Sequence, residues 1–208
     1  MSKVIRIVVG DIQTNCYLLQ SDEEIAVIDP GFEGLKILDI AKTLEGKITH
    51  IINTHGHIDH IGANKIIKET TNAKLYVHKD DAEMLTHPAK NLSLLVGEFV
   101  QSPSADVLLD DNDNIKIGQT ELKVIHTPGH TKGGICLVGD KFAFTGDTLF
   151  FDSIGRTDFP GADEKKMFES LNRLKTILTD EMVVYPGHGD WGKFSEIKKV
   201  NPFLSFTE

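Results

Sequence analysis

Apolar positions along the chain fall into short extended runs separated by helical stretches. Val4, Ile5, Ile7, Val8 and Val9, then Cys16 to Leu19, then Ile25 to Ile28 read as three strands, with Gly10-Asp11 and Ser21-Asp22 as turns. Leu35, Leu38, Ala41 and Leu44 recur at helical spacing, and Gly46 is placed to stop that helix. Ile48 to Ile52 is a short buried strand that runs into a polar cluster, and Ile61, Ile66 and Ile67 begin another helical pattern. Leu75 to Val77 is a strand, and two helical stretches broken at Pro88 fill roughly the next 25 residues. Strands resume at Ile115–Ile117, Leu122–His126, Gly134–Val138 and Phe142–Thr145. Met167, Leu171, Leu174 and Leu178 mark an amphipathic helix, Met182 to Tyr185 a last strand, and Ser195–Val200 a short closing helix. The order strand–Asp–helix–strand–His occurs twice, through Asp29 and His55 and again through Asp147 and His188. A core of two sheets related by a pseudo-twofold accounts for that echo.

At 208 residues the chain suits one domain, and 40% apolar with 25% charged residues is ordinary globular composition. A net charge of -9 gives no general attraction to phosphate backbones or anionic lipid, so neither nucleic acid nor membrane is an expected partner. No apolar run approaches the roughly 20 residues of a bilayer span, and Arg6 interrupts the N-terminal run too early for a signal peptide. A cytoplasmic protein, monomer or homodimer, is expected. Cys16 and Cys136 lie in apolar strands and read as buried reduced thiols. Asp110 to Asn114 lacks the glycine and glutamate of a calcium loop and reads as a solvated turn.

The chemistry gathers in the histidines. His55-x-His57-x-Asp59-His60 places four potential ligands in six residues. In extended chain His55 and His57 point the same way, while Asp59 and His60 enter a helix and face a second point. That spacing suits two metal ions. Glycine at 56 removes a side chain where the backbone passes close to the site. His130, Asp147 and His188 each follow an apolar strand in a glycine turn, and such strand ends converge on one rim of a sheet. Asp29 ends a strand beside that rim and is placed to orient a ligand histidine. Imidazole and carboxylate without thiolate suit zinc, iron or manganese. His50, His78 and His87 have no ligand neighbours in sequence, and His126 belongs to the strand before the turn. No nucleophile elbow, phosphate loop or dinucleotide fingerprint is present.

Asp29, His55-x-His57-x-Asp59-His60, His130, Asp147 and His188 resemble, in order, the motifs of the metallo-β-lactamase fold superfamily. The resemblance implies an α+β fold, a four-layer αββα sandwich with the metal site at the edge between the two sheets, as one domain over 1–208. It implies that His55, His57 and His130 hold one ion and Asp59, His60 and His188 the other, with Asp147 bridging. Thr127-Pro-Gly-His-Thr131, Phe144-Thr-Gly-Asp-Thr-Leu-Phe150, Gly155-Arg-Thr-Asp-Phe-Pro160 and Asn201-Pro-Phe-Leu204 look like the short prokaryotic glyoxalase II-type hydrolases. The longer enzymes of that type carry a C-terminal helical domain for glutathione, which is not expected for this protein, and Glu-Tyr where this chain has Gly189-Asp190. Arg156 aligns with a lysine of their substrate loop and is the candidate contact for an anionic substrate.

The implied activity is hydrolysis of a small-molecule hydroxyacyl thioester such as S-lactoylglutathione, with two divalent ions, zinc foremost, activating water, and Asp59 orienting the nucleophile. A persulfide dioxygenase with a single iron at His55, His130 and Asp147 is the main alternative. Its last histidine usually lies in Pro-Ala-His-Asp-Tyr, unlike Pro186-Gly-His-Gly189. Hydrolysis of another ester or lactone, and a binding module without turnover, complete the field.

Overall fold

The computed structural model describes residues 2–205. Two six-stranded sheets form its centre. In the first, β1 (Lys3–Val9), β2 (Thr14–Ser21) and β3 (Glu24–Ile28) make an antiparallel meander, and β4 (Lys47–Ile52), β5 (Lys74–His78) and β6 (Val107–Leu109) extend it in parallel. In the second, β7 (Asn114–Ile117), β8 (Thr120–His126), β9 (Ile135–Val138) and β10 (Phe142–Gly146) run antiparallel. The parallel β11 (Val183–Pro186) and the short antiparallel β12 (Gly192–Lys193) complete it.

Burial on both faces explains why Cys16–Leu19 of β2 and Ile25–Ile28 of β3 are continuously apolar. Cys16, Leu18, Ile25 and Val27 face outward into a core shared with helices, while Tyr17, Leu19, Ala26 and Ile28 face inward to the second sheet. The outer face of the first sheet is covered by Ile37, Leu38 and Ala41 of α1 (Gly34–Ala41) and Ile67 of α3 (Asn64–Thr71). The outer face of the second is covered by Met167, Leu171 and Leu174 of α5 (Glu164–Ile177), and by Phe194 and Ile197 of α6 (Phe194–Val200). The expected four layers, helix–sheet–sheet–helix, are therefore present. Burying each of these leucines stabilises the fold by roughly 1.5–3 kcal/mol. Both cysteines are buried.

The boundaries differ from expectation in instructive places. Helix α1 ends at Ala41, and Thr43 and Leu44 form a turn whose amides bond to Ile40 and Ala41 carbonyls. The pattern from Ile61 to Ile67 is two helices, α2 (Ile58–Ile61) and α3, parted at Gly62 and Ala63. A Cβ at Gly62 would lie 2.3 Å from the Gly31 carbonyl oxygen, so the chain bends there to pass the turn after β3. Between β5 and β6 only α4 (Ala82–Thr86) is α-helical, and the second expected stretch is a single 3-10 turn at Ser93–Val96. Strands β6 and β12 were not expected; three and two residues long, they are too short to show a period.

The echo has a structural basis. β3–α1–β4 and β10–α5–β11 are each a helix crossover between adjacent parallel strands. In both, an aspartate follows the first strand and a histidine follows the second, so all four arrive at one edge of the sandwich.

Candidate metal centre

The loop after β4 delivers His55 and His57, and α2 delivers Asp59 and His60; all four are buried. His130 follows β8, Asp147 follows β10 and His188 follows β11. The structure brings all seven side chains together. His55, His57 and His130 present nitrogens within 4.8 Å of one another, as do the donor atoms of Asp59, His60 and His188 and those of His55, His60 and Asp147. The aspartate lies between the two halves, with Oδ1 3.4 Å from His60 Nε2 and Oδ2 3.5 Å from both His130 Nε2 and His188 Nε2. His188 Nε2 is 3.1 Å from Asp59 Oδ2 and 3.4 Å from His60 Nε2. Ligands each about 2.1 Å from one tetrahedral ion stand about 3.4 Å apart. The spacing fits.

His130, His60 and His55 each have a partner outside the donor set, the last through Thr54 Oγ1 3.2 Å from its Nδ1. His130 donates from Nδ1 to the Arg156 carbonyl oxygen at 2.8 Å, which leaves the Nε2 lone pair facing the centre. His60 has Nδ1 3.0 Å from Asp29 Oδ2 and aims Nε2 inward. Asp29 is itself fixed by the Thr54 amide and hydroxyl, each at 2.7 Å. Asp59 accepts from Thr14 Oγ1 at 3.0 Å. The His55 Nε2 and Asp147 Oδ1 atoms are buried without a hydrogen-bond partner. Such orphans are costly in an interior and are what cation ligands look like without the cation.

The electrostatics agree. Burial, then the neighbouring imidazoles, hold His55 well below the usual histidine range, and His57 is pushed down to about 3 by burial and then by His130. Both are neutral donors at pH 7. Burial opposes ionisation of Asp59 and Asp147, but His60 beside them wins and holds both carboxyls low. His60 is raised despite its burial, because Asp59, Asp147 and Asp29 surround it. Five imidazoles and two carboxylates therefore form a donor set fit for two divalent cations that share Asp147.

Three findings lay outside the sequence reading. Asp81, fully buried, accepts from Gly56 N at 3.1 Å, Thr131 Oγ1 at 2.7 Å and Gly133 N at 2.6 Å, tying the loop of His57 to the loop of His130. Its signal was present, since it too follows an apolar strand. Asn15 and Tyr17 of β2 pin the turn of His188 through the Pro186 and Gly189 carbonyls. Nothing in β2 betrays that role. Gly187 lets that turn approach, because a Cβ there would lie 2.2 Å from Asp147 Oδ1.

Two readings need correction. Gly56 is required not by the metal donors but by Met84 of α4, whose Cβ would lie 2.4 Å from an added one. His78 does have neighbours: it stacks on His126 at 4.1 Å with ring planes 11° apart, near Asp80. Lone pairs lie in the ring plane, so two parallel rings do not converge on one ion. Arg156 is exposed, pairs with Asp158 at 2.8 Å and lies 4.3 Å over the Phe159 ring.

Fold and donor set together define a binuclear metal centre at the edge of an αββα sandwich. The sequence profile of the metallo-β-lactamase superfamily matches residues 9–188, and the chain belongs to that superfamily. Probable metallo-hydrolase YqgX of Bacillus subtilis is 34% identical over 96% of both chains. Hydroxyacylglutathione hydrolase GloC of Haemophilus influenzae is 31% identical over 93% of both. Among solved structures, the BLEG-1 B3 metallo-β-lactamase superposes with TM-score 0.93 at 32% identity, covering 98% of this chain and 100% of that one. TTHA1623 in a di-iron-bound form gives 0.86 at 32%, covering 96% and 100%. ETHE1 from Myxococcus xanthus gives 0.81 at 28%, covering 96% and 83%. No helix among the described residues is long and apolar enough to cross a membrane.

Proposed function

We propose that the protein is a metal-dependent thioester hydrolase acting on a hydroxyacyl thioester, S-lactoylglutathione or a close relative. The observation that carries this reading is a complete two-ion donor set with no general acid among its described contacts. Beyond one another, the donors touch Thr14, Thr54, Asp29, the Arg156 main chain and the rings of Phe150 and Phe159. A leaving group that departs as an anion suits such a site. A thiolate, with a conjugate-acid pKa of about 8.5, does so near neutral pH, whereas an alkoxide would need a proton.

Divalent ions, zinc foremost with iron or manganese also suited, would be held by the seven donors and would supply Lewis acidity and an activated water. The chain's own residues do the positioning. Asp59, fixed by Thr14, orients the attacking water while completing its half of the donor set. The acyl carbon–sulfur bond breaks, a carbon–oxygen bond forms, and a proton from water ends on the thiol. Arg156, one ring from His57 and His130 through Phe159, anchors the anionic part of the thiol carrier. The similarity to GloC, a hydroxyacylglutathione hydrolase, supports the same reading.

Steady-state assays of thiol release from S-lactoylglutathione test the proposal, with oxygen uptake on glutathione persulfide as control. Thioester cleavage is expected. Oxygen consumption without it would replace the hydrolase with a persulfide dioxygenase.

A further inference from the structure

Beside Asp59, with Arg156 not among its lining residues, opens a cleft of about 610 Å³ that the mechanism above does not use. Its walls are Ile12 of the β1–β2 turn, Phe32, Ile58 and Val96. Ile12 and Val96 are 62% and 64% exposed, and Leu95 and Phe99, the sequence neighbours of Val96 and Glu98, are 69% and 71% exposed. Large side chains left this open cost free energy in water and mark a surface that something apolar covers. The charges lining the cleft are all of one sign: Asp11, Glu33 and Glu98 join Asp59, and no lysine or arginine lines it. Lys36 Nζ reaches Glu33 at 3.3 Å but is also committed to the Val8 carbonyl at 2.9 Å. Glutathione, with two carboxylates, is the wrong occupant for such a place.

We infer that this cleft is the acyl subsite, and that the acyl group is an apolar, uncharged chain longer than lactoyl. The inference rests on the thioesterase reading and orients it. The chain lies between Ile12 and Val96, the thioester carbonyl reaches Asp59 and its neighbours, and the anionic thiol carrier extends toward Arg156. Asp59 lines both the cleft and the metal centre, so a chain seated there is continuous with the reacting carbonyl. A three-carbon acyl group would leave most of this volume filled with water.

The test uses neutral N-acetylcysteamine thioesters of unbranched 2-hydroxy acids, so that only the acyl end varies. With metal-replete protein, kcat/KM should rise about threefold for each methylene added beyond lactoyl, as expected for carbon moved from water to an apolar wall. A carboxylate at the far end of the chain should cancel that gain, and Asp11→Asn with Glu98→Gln should restore part of it. Val96→Ser with Ile12→Ser should flatten the rise with chain length. Calorimetric titration of n-octanamide against acetamide reads the cleft without turnover. Binding of the longer amide, lost in Val96→Ser, is expected. If no thioester is cleaved yet octanamide binds, the hydrolase reading fails and the cleft stands. A flat length series, or a terminal carboxylate accepted as well as a methyl group, overturns the acyl subsite. So does sedimentation as a dimer that Val96→Ser and Phe99→Ser convert to monomer, because a second copy would then be what covers these side chains.

Discussion

His130 Nδ1 and the Arg156 carbonyl oxygen lie 2.8 Å apart, and this bond ties a donor of the metal centre to the loop that carries the Arg156 guanidinium. The main chain of Arg156 fixes which nitrogen of His130 faces the ions, while its side chain lies outside over Phe159. The backbone and the guanidinium of residue 156 therefore make separate contacts, the first to His130 and the second to Asp158 and Phe159. His60, His55 and Asp59 likewise have a polar group outside the donor set, Asp29, Thr54 and Thr14 respectively.

Asp147 touches both halves of the donor set, so its loss should be felt by both ions. Metal-replete protein is expected to hold two ions per chain by elemental analysis. Asp147→Ala should bring the content to one or fewer, whereas His57→Ala, confined to one half, should retain close to one. An Asp147→Ala protein that still holds two ions would refute the shared carboxylate.

Asp29 is expected to orient rather than ligate. It sits behind His60, held by two bonds from Thr54. Asp29→Ala should keep part of the metal and lower kcat/KM roughly 10–100-fold. His57→Ala should abolish turnover. Indistinguishable metal contents and rates would show that Asp29 is a ligand in its own right.

The donors were legible in the sequence because each occupies the position after an apolar strand, where chemistry and periodicity coincide. The layers were legible because β2, β3 and α5 are long enough to show their periods. What escaped was either too short, as β6 and β12, or depended on a distant strand. The hold of Asn15 and Tyr17 on the Pro186–Gly189 turn spans more than 160 residues and leaves no local pattern. The helix expected after Pro88 shows the opposite error. Leu94, Leu95 and Val96 look like helix by composition, yet all three stand exposed, and Val96 lines the cleft.

Asp81 should matter for stability as well as for activity. Asp81→Ala would strand the Gly56 and Gly133 amides and the Thr131 hydroxyl in a dry interior. Each unsatisfied buried donor costs about 1–3 kcal/mol, so an unfolding free-energy loss of roughly 3–5 kcal/mol is expected in urea titration. Asp81→Asn keeps acceptor capacity on one oxygen and should lose less. A change under 1 kcal/mol in the alanine variant would mean that the two loops are held elsewhere.

The two thiols should be inert in the folded protein. Burial pushes Cys16 up, and pushes Cys136 up to about 11. A raised thiol keeps its proton in the native state at pH 8 while the unfolded chain, at about 8.5, begins to ionise. Alkylation by iodoacetamide at pH 8 should therefore track unfolding. Stability should also fall as pH rises from about 8.5 toward 11, since only the unfolded state releases these protons. Rapid labelling of native protein would contradict the burial of both strands.

Arg156→Ala separates the two contacts of that residue. The substitution leaves the carbonyl in place, so His130 keeps its partner, and metal content and melting temperature should match the parent protein. What is lost is the exposed guanidinium, already shared with Asp158 and Phe159. An anchor that holds ground state and transition state alike changes KM rather than kcat. KM for S-lactoylglutathione should therefore rise several-fold with little change in kcat, and KM for the neutral N-acetylcysteamine thioester should hardly move. Addition of salt should weaken the glutathione substrate in the parent protein more than in the variant, because an exposed charge contact is screened. A fall in kcat with metal content intact would place the guanidinium at the reacting carbonyl instead. Equal effects on charged and neutral thioesters would remove Arg156 from substrate recognition and leave its ion pair with Asp158 as a surface feature.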